Sequence, residues 1–358
     1  MNARFNRLWI FAWVILFGMV LSACRSVSPT SQPVLTLPLT STATLQAAPS
    51  ITPTPAQAST ETLPAPLAVL LAPVGSDPVL AESLRSALEG PITQAGLRWE
   101  MRTELDPQEP GLILVIALPP DPGIAELASQ APQVQFVTVG MEDIPPMANL
   151  SQVSGEIRYD QQGFLAGAIA AMLTPDWRVG AVSNGETTDG KAARNGFLNG
   201  AVYFCGLCLA YHGPIFDYPL YTEIPSNASQ ADWQVAVDAL VSQAVNTAYV
   251  FPGVGQDDLL RALAQAGINI ISSGPPPEDI KTHWIASITT DPAAPILEHL
   301  PDLLAGEGGI DMTAPLVIRE VNPALFSPGR QSLAEKILND MLGGVIDTGV
   351  DPQTGETR

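Results

Sequence analysis

Cys205 and Cys208 form a CxxC pair, the most reactive motif in this 358-residue chain. A CxxC pair can act as a redox centre, supply two zinc ligands or form a local disulfide. Redox pairs lie between a strand and the start of a helix, whereas this pair lies between a predicted helix end and a strand predicted over residues 208–211. A zinc site needs four ligands, and the chain has three histidines and no second cysteine pair. The pattern favours a structural disulfide, with free thiols, redox chemistry and metal binding as the alternatives.

Motifs of catalysis are absent from the sequence, which contains no GxSxG, no HExxH and no phosphate loop with Lys-Ser/Thr. A Gly-Val-Gly sequence at Gly253, Val254 and Gly255 stands between a predicted strand and a predicted helix, but Asp258 replaces the third glycine of a dinucleotide fingerprint. We interpret these three residues as a turn whose backbone N–H groups can contact a ligand. No enzyme activity, cofactor or metal is therefore predicted.

Strand and helix patterns alternate along the first half of the folded region. The predicted strands of the first half cover residues 67–71, 95–101, 111–118 and 135–140. Helices between such strands indicate a parallel sheet covered on both faces, and ligands bind beyond the carboxyl ends of its strands. The rule selects Gly75, Ser76 and Asp77 after the first strand and Pro119 after the third.

A helix rich in small residues is predicted over residues 161–173, after a crossing between two lobes at residues 153–159. Gly163 and Gly167 keep one side of this helix thin. Each glycine costs a helix about 1 kcal/mol relative to alanine, so two of them indicate close approach to a neighbour. Packing onto a sheet is the simplest interpretation.

Further strands are predicted over residues 178–183, 247–251 and 268–272, and residues 283–289 are expected to cross back to the first lobe. The loop that follows the first of these strands adds Asn184 and Gly185 to the predicted ligand site.

The central segment resembles the basic membrane lipoprotein family, which are lipid-anchored nucleoside-binding proteins of ABC importers. The matching residues are Tyr159, Leu165, Ala166, Gly167, Ala170, Ala171, Val179, Gly180, Asn195, Gly196, Phe197, Asn199, Gly200 and Ala201. The resemblance implies a periplasmic-binding-protein type I fold, with two doubly wound parallel-sheet α/β lobes joined by a hinge. It also implies a monomer that binds a small-molecule solute and docks on an ABC permease.

The sequence departs from the family at three ligand-binding positions. The family's Phe and Asn after the first strand are absent from residues 76–80, its ribose-binding Asp is replaced near Ser273, and its Lys of the return strand is replaced by Thr290. Ser273 and Thr290 can still donate hydrogen bonds, so a neutral or differently shaped solute is expected. The alternative is a lipid-anchored sensor or interaction domain that keeps the fold but has an altered or lost pocket.

Acidic residues outnumber basic ones by 36 to 16, which gives a net charge of −20. Such a surface repels phosphate backbones and argues against a nucleic-acid partner. The predicted organisation is a signal peptide at 1–23, a tether at 24–66, a first lobe at 67–153, a second lobe at 154–285 and a return segment at 286–358 that lies partly in the first lobe.

The N-terminus has the plan of a secretory signal, with Arg4 and Arg7 ahead of an apolar run over residues 8–21. The run ends at Leu-Ser-Ala-Cys, which resembles a bacterial lipobox with Cys24 as the acylated residue; an uncleaved transmembrane helix is the alternative. The Ser-, Thr- and Pro-rich tether cannot bury enough apolar surface to offset its ordering entropy. The chain is thus expected on the extracytoplasmic face of the cell membrane, held by a lipid anchor.

We predict that the mature protein begins at acylated Cys24. Intact-mass analysis of membrane-extracted protein should show loss of residues 1–23 and the added mass of acyl chains, whereas Cys24→Ser should carry no acyl mass. Wild-type protein that retains residues 1–23 would reject the prediction.

Overall fold

A computed structural model describes residues 65–358, so the predictions for the signal peptide, Cys24 and nearly all of the tether fall outside the described residues. The strands are β1 Leu67–Leu71, β2 Arg98–Arg102, β3 Leu112–Ala117, β4 Gln135–Val139, β5 Leu150–Ser154, β6 Val179–Ser183, β7 Leu220–Glu223, β8 Thr247–Val250, β9 Asn269–Ser272, β10 Trp284–Thr290, β11 Asp311–Thr313 and β12 Leu316–Arg319. The helices are α1 Pro78–Gln94, α2 Ile124–Gln130, α3 Tyr159–Leu173, α4 Thr188–Cys205, α5 Gln230–Ser242, α6 Asp257–Gln265, α7 Ala293–Glu298, α8 Leu300–Leu304 and α9 Pro328–Leu342.

The strands form two six-stranded sheets, in the orders β2-β1-β3-β4-β5-β11 and β7-β6-β8-β9-β10-β12. All neighbouring pairs are parallel except β12, which runs antiparallel to β10. Helices connect β1 to β2, β3 to β4, β6 to β7, β7 to β8 and β8 to β9, the kind of crossover that parallel strands usually need. The predicted fold class of two doubly wound α/β lobes is confirmed.

The apolar run of β1 suits a central strand of the first sheet. Ala68 and Leu70 join the core shared with α1 and α7, whereas Leu67, Val69 and Leu71 join the core shared with α2. A strand covered on both faces needs apolar residues at every position, and all five of these side chains are buried.

Three crossings join the lobes. The first is residues 155–158 between β5 and α3, the second is residues 291–292 between β10 and α7, and the third is residues 314–315 between β11 and β12. Residues 283–289, predicted to cross back, instead form most of β10 in the second sheet, and the predicted boundary at 285 falls inside that strand. Helices α7 and α8 pack on the first lobe, whereas α9 packs on the second.

The predicted strand at residues 208–211 is wrong, and the edge strand is β7 instead. Cys208 has φ +48°, a left-handed conformation that a strand does not accommodate. Hydrogen bonds from Arg178 stabilise the loop between α4 and β7. Its guanidinium donates to the carbonyl oxygens of His212 at 2.6 Å and Pro214 at 3.1 Å. A disulfide joins Cys205 and Cys208, whose Cα atoms are 5.0 Å apart.

Helices α3 and α4 pack backbone to backbone. A Cβ on Gly163 would overlap the carbonyl oxygen of Ala193, and one on Gly167 would overlap that of Phe197. Gly196 and Gly200 of α4 meet the α3 backbone in the same way. The close approach inferred from the α3 glycines is correct, but the neighbour of these glycines is helix α4. Packing of α3 onto the second sheet occurs through other residues, such as Gln162, which hydrogen-bonds to Tyr249 of β8 and Ile288 of β10.

We predict that Gly167→Ala lowers the free energy of unfolding by more than about 2 kcal/mol, because the new methyl group would force the two helices apart. Gly329 of α9 is the matched control: a Cβ there meets no atom within 4 Å. Gly329→Ala should raise stability by up to about 1 kcal/mol, since alanine favours helix more than glycine does. Urea unfolding monitored by circular dichroism measures both, and equal stabilities for the two variants would contradict the packing argument.

Candidate functional site

A cavity of about 480 Å³ lies at the first crossing, between the carboxyl ends of β4 and β5 and the first turns of α3 and α4. Its volume suits a small molecule. The first lobe contributes Gly140, Met141, Glu142, Gln152 and Ser154. The crossing and the second lobe contribute Gly155, Glu156, Ile157, Arg158, Tyr159, Asp160, Asp189, Ala192 and Pro352. Both lobes therefore shape one binding volume.

The first-lobe wall depends on two glycines at the ends of β4 and β5. Gly140 has φ +65°, and a Cβ on Gly155 would lie 2.8 Å from the Cα of Gly140. Only glycine allows the two chains to turn so close together. The side chain of Gln152 donates to the carbonyl oxygen of Met141 at 2.7 Å, which holds the loop after β4 against β5.

A buried carboxylate organises the second-lobe wall. Asp160 has no exposed surface; it accepts two hydrogen bonds of 2.8 Å from Arg158 and one of 2.7 Å from the hydroxyl of Thr348. The hydrogen-bonded carboxylate raises the pKa of Arg158, although burial opposes the shift. The pair thus fixes the crossing, the start of α3 and the C-terminal segment relative to one another.

Residues 347–358 close one side of the cavity. Asn199 donates to the carbonyl oxygen of Thr348 at 2.8 Å, and Asn195 donates to that of Gly355 at 2.7 Å. Both asparagines lie on α4, so the segment is tied to that helix at two points. Pro352 stands between these points and lines the cavity.

Tyr159 supplies an aromatic wall. Its ring packs edge-on against Phe251, with centroids 5.1 Å apart. Burial raises the pKa of the Tyr159 phenol, and the negative charge of Asp189 raises it further. The phenol stays neutral at physiological pH, so Tyr159 offers a π face and a hydroxyl.

Three lining carboxylates are left without a partner. Among residues 65–358, the side chains of Glu142, Glu156 and Asp189 take part in no hydrogen bond or salt bridge, and all three residues are exposed. The cations beside them are already paired, Arg158 with Asp160 and Lys191 with Glu356. The lining is therefore strongly negative.

None of the predicted ligand-binding residues lines this cavity. In the first lobe, Gly75, Ser76 and Asp77 follow β1 and Pro119 follows β3, at the carboxyl edge as expected. Asp77 caps α1 by accepting from the backbone N–H of Val79 at 2.8 Å. The hydroxyl of Ser76 is buried without a hydrogen-bond partner among the described residues.

The polar groups of the loop after β6 form hydrogen bonds with protein groups of the same lobe. Asn184 accepts from the backbone N–H of Glu186 and donates to the Ser226 hydroxyl, each at 2.7 Å. Hydrogen bonds from the backbone N–H and the hydroxyl of Ser226 lower the pKa of Glu186. Gly185 lies so close to the Glu223 carboxylate that a Cβ would contact it at 2.5 Å.

The remaining predicted residues follow the other strands of the second sheet. Gly253 and Val254 belong to a short 3-10 helix, Pro252–Val254, and Gly255 follows it. Ser273 follows β9, Thr290 ends β10, and both residues are half-buried. Their side chains are free to bind a solute, because no hydrogen bond within residues 65–358 occupies them. Their role in binding stays a prediction.

The sequence interpretation missed the residues of the crossing itself. A segment that joins two lobes must pass between them, so the crossing predicted at residues 153–159 was a usable signal for Glu156 and Arg158. Pro352 had no such signal, because its place depends on the contacts of Asn195 and Asn199, about 150 residues earlier.

Within residues 65–358, no group of three or more His, Cys, Asp or Glu side chains could hold a metal ion. The helices of that same region are all too short or too polar to cross a bilayer.

We predict that Asp160→Asn lowers the free energy of unfolding by about 2 kcal/mol, because it removes a charge-assisted pair from a buried position. The loss stays moderate because the Arg158 side chain is 42% exposed and can still reach water. Asp311→Asn, at an exposed position of β11, should change stability by less than about 0.5 kcal/mol. Urea titration compares the two, and an equal effect would refute the role of Asp160.

Comparisons with known proteins place the fold. No family model matches the chain, and no curated protein does. An ABC transporter system solute-binding protein from Conexibacter woesei DSM 14684 is similar in structure, with a TM-score of 0.56 and 18% identity over 79% of this chain and 98% of that one. A transcriptional activator of the comK gene from Bacillus halodurans has a TM-score of 0.50 and 14% identity over 81% of this chain and 99% of that one. At these identities the likeness shows the fold alone: this chain has the periplasmic-binding-protein type I-like architecture.

Proposed function

We propose that this protein is a lipid-anchored, extracytoplasmic solute-binding protein that delivers a small polar solute to an ABC permease. The observation that carries the proposal is the cavity of about 480 Å³ that both lobes line at their first crossing. The similarity to a solute-binding protein of an ABC transporter supports it. The site offers no nucleophile–base pair, which favours binding without chemistry.

Closure of the lobes is the proposed mechanism. The three crossings are the only places where a hydrogen bond joins the lobes among residues 65–358; one runs from the backbone N–H of Asp291 to the carbonyl oxygen of Pro315 at 2.9 Å. The loops at the facing edges make no such bonds, so a change of lobe angle costs few contacts. A solute that binds the closed form more tightly shifts the population towards it.

The solute is proposed to be a nucleoside or a related polar molecule. The uncharged donors at Ser273 and Thr290 lie at the carboxyl ends of β9 and β10, where closure would bring them to the solute. Because the family's Phe, Asn, Asp and Lys are missing, the solute would be held differently from a typical nucleoside of that family.

The proposed anchor is the acylated Cys24. A Pro-rich tether extends up to about 3.1 Å per residue, so residues 24–66 could hold the domain roughly 120 Å from the membrane when fully stretched. That reach allows a monomer to meet a permease in the same membrane.

A sensor or interaction domain is the second candidate. The similar structure from Bacillus halodurans bears the name of a transcriptional activator, which shows that this architecture is not confined to proteins named as transporters. A protein of this kind would keep the lobes without needing solute-driven closure.

We predict that the mature protein in detergent binds a solute from a panel of nucleosides, bases, sugars and amines, with an increase in melting temperature and a smaller radius of gyration in solution scattering. Ser154→Trp should abolish both changes, because Ser154 lines the cavity and the indole would fill it. Ser129→Trp, on the exposed face of α2, should leave both unchanged. A panel that gives no shift at millimolar concentration would favour the second candidate.

A further inference from the structure

The charge of the cavity selects among solutes. We propose that the polar solute is a small organic cation with at least two amine or guanidinium groups and not a neutral nucleoside; this inference rests on the proposed function and narrows its substrate class. The lining supplies the three unpartnered carboxylates Glu142, Glu156 and Asp189, which come from the first lobe, the crossing and the second lobe, respectively.

Acidic residues also dominate five of the loops at the carboxyl ends of the two sheets. The loops after β1, β3, β4, β5 and β6 carry Asp77, Asp121, Glu142, Asp143, Glu156 and Glu186. The single cationic residue in these loops is Arg158, which forms an ion pair with Asp160. A field of one sign at the mouth of a cleft concentrates counter-ions and speeds their capture.

Closure of the lobes would make the negative charge of the lining determine which solutes bind. Lobes that close over a neutral solute would remove water from three like-charged carboxylates without supplying a partner, which is unfavourable for the closed form. An amine that bridges Glu142 and Asp189 would instead form charge-assisted hydrogen bonds with both carboxylates, and these bonds would offset the cost of removing their water. A cationic solute therefore gains affinity from closure, whereas a neutral solute loses it.

The remaining lining favours an organic cation over a metal ion. No set of three acidic, His or Cys side chains among residues 65–358 converges closely enough to ligate a metal. Their separation around a volume of about 480 Å³ suits several charges spaced along a flexible molecule. The ring of Tyr159 adds a π face, which attracts ammonium groups.

Isothermal titration calorimetry of the mature protein in detergent with spermidine, adenosine and calcium chloride tests the inference at physiological salt, where diffuse attraction between exposed charges is screened. We expect spermidine to bind at one site, and the double variant Glu142→Gln/Asp189→Asn to weaken it by about 30-fold, because charge-assisted hydrogen bonds are the strong ones. The matched control Glu307→Gln/Glu335→Gln removes the same charge at exposed positions outside the cavity lining and should change the dissociation constant by less than about twofold.

The outcomes separate the two proposals. Binding of adenosine without binding of spermidine would overturn the cationic substrate class and leave the solute-binding function standing. An equal loss in both double variants would show diffuse counter-ion attraction, and a response to calcium alone would show a metal site; either would overturn the inference. Failure of every compound here and in the wider solute panel would count against both proposals.

Discussion

The backbone contact between α3 and α4 determines where the second-lobe wall of the cavity lies. Four glycines, Gly163, Gly167, Gly196 and Gly200, remove every side chain that would separate the helices. The helices therefore lie close along their length, and both begin at the carboxyl edge of the second sheet. That arrangement sets Tyr159 and Asp160 beside Asp189 and Ala192, which together form the second-lobe wall of the cavity.

The helix pair also determines how the C-terminal segment folds back. Asn195 and Asn199 lie one turn apart on α4 and hold the carbonyl oxygens of Gly355 and Thr348. Thr348 in turn donates to Asp160, the buried carboxylate that holds the crossing. Segments separated by nearly 200 residues thus meet in one network, and the network places the cavity at the crossing.

Local patterns were sufficient to predict the fold but not the lining of the cavity. The apolar run of β1 and the glycines of α3 carry their structural meaning in their own residue types, so the buried strand and the close approach of α3 to a neighbour were predictable, but the identity of that neighbour was not. The segment at 208–211 has a residue pattern typical of a strand, but it lies between the Cys205–Cys208 disulfide and His212, whose carbonyl oxygen accepts a hydrogen bond from the distant Arg178. Pro352 lines the cavity only through long-range contacts, which composition and periodicity do not encode.

The proposed closure of the lobes would account for the separation between the cavity and the predicted loops. When two lobes turn about crossings, residues near the axis move little and those far from it move most. The lining at Gly155 and Tyr159 adjoins the axis, so both lobes can form a cavity there without full closure. The loops at Ser76 and Gly253 lie away from the first crossing and would reach a solute only as the lobes close. Residues near the hinge would then select the solute first, and the outer loops would complete its enclosure.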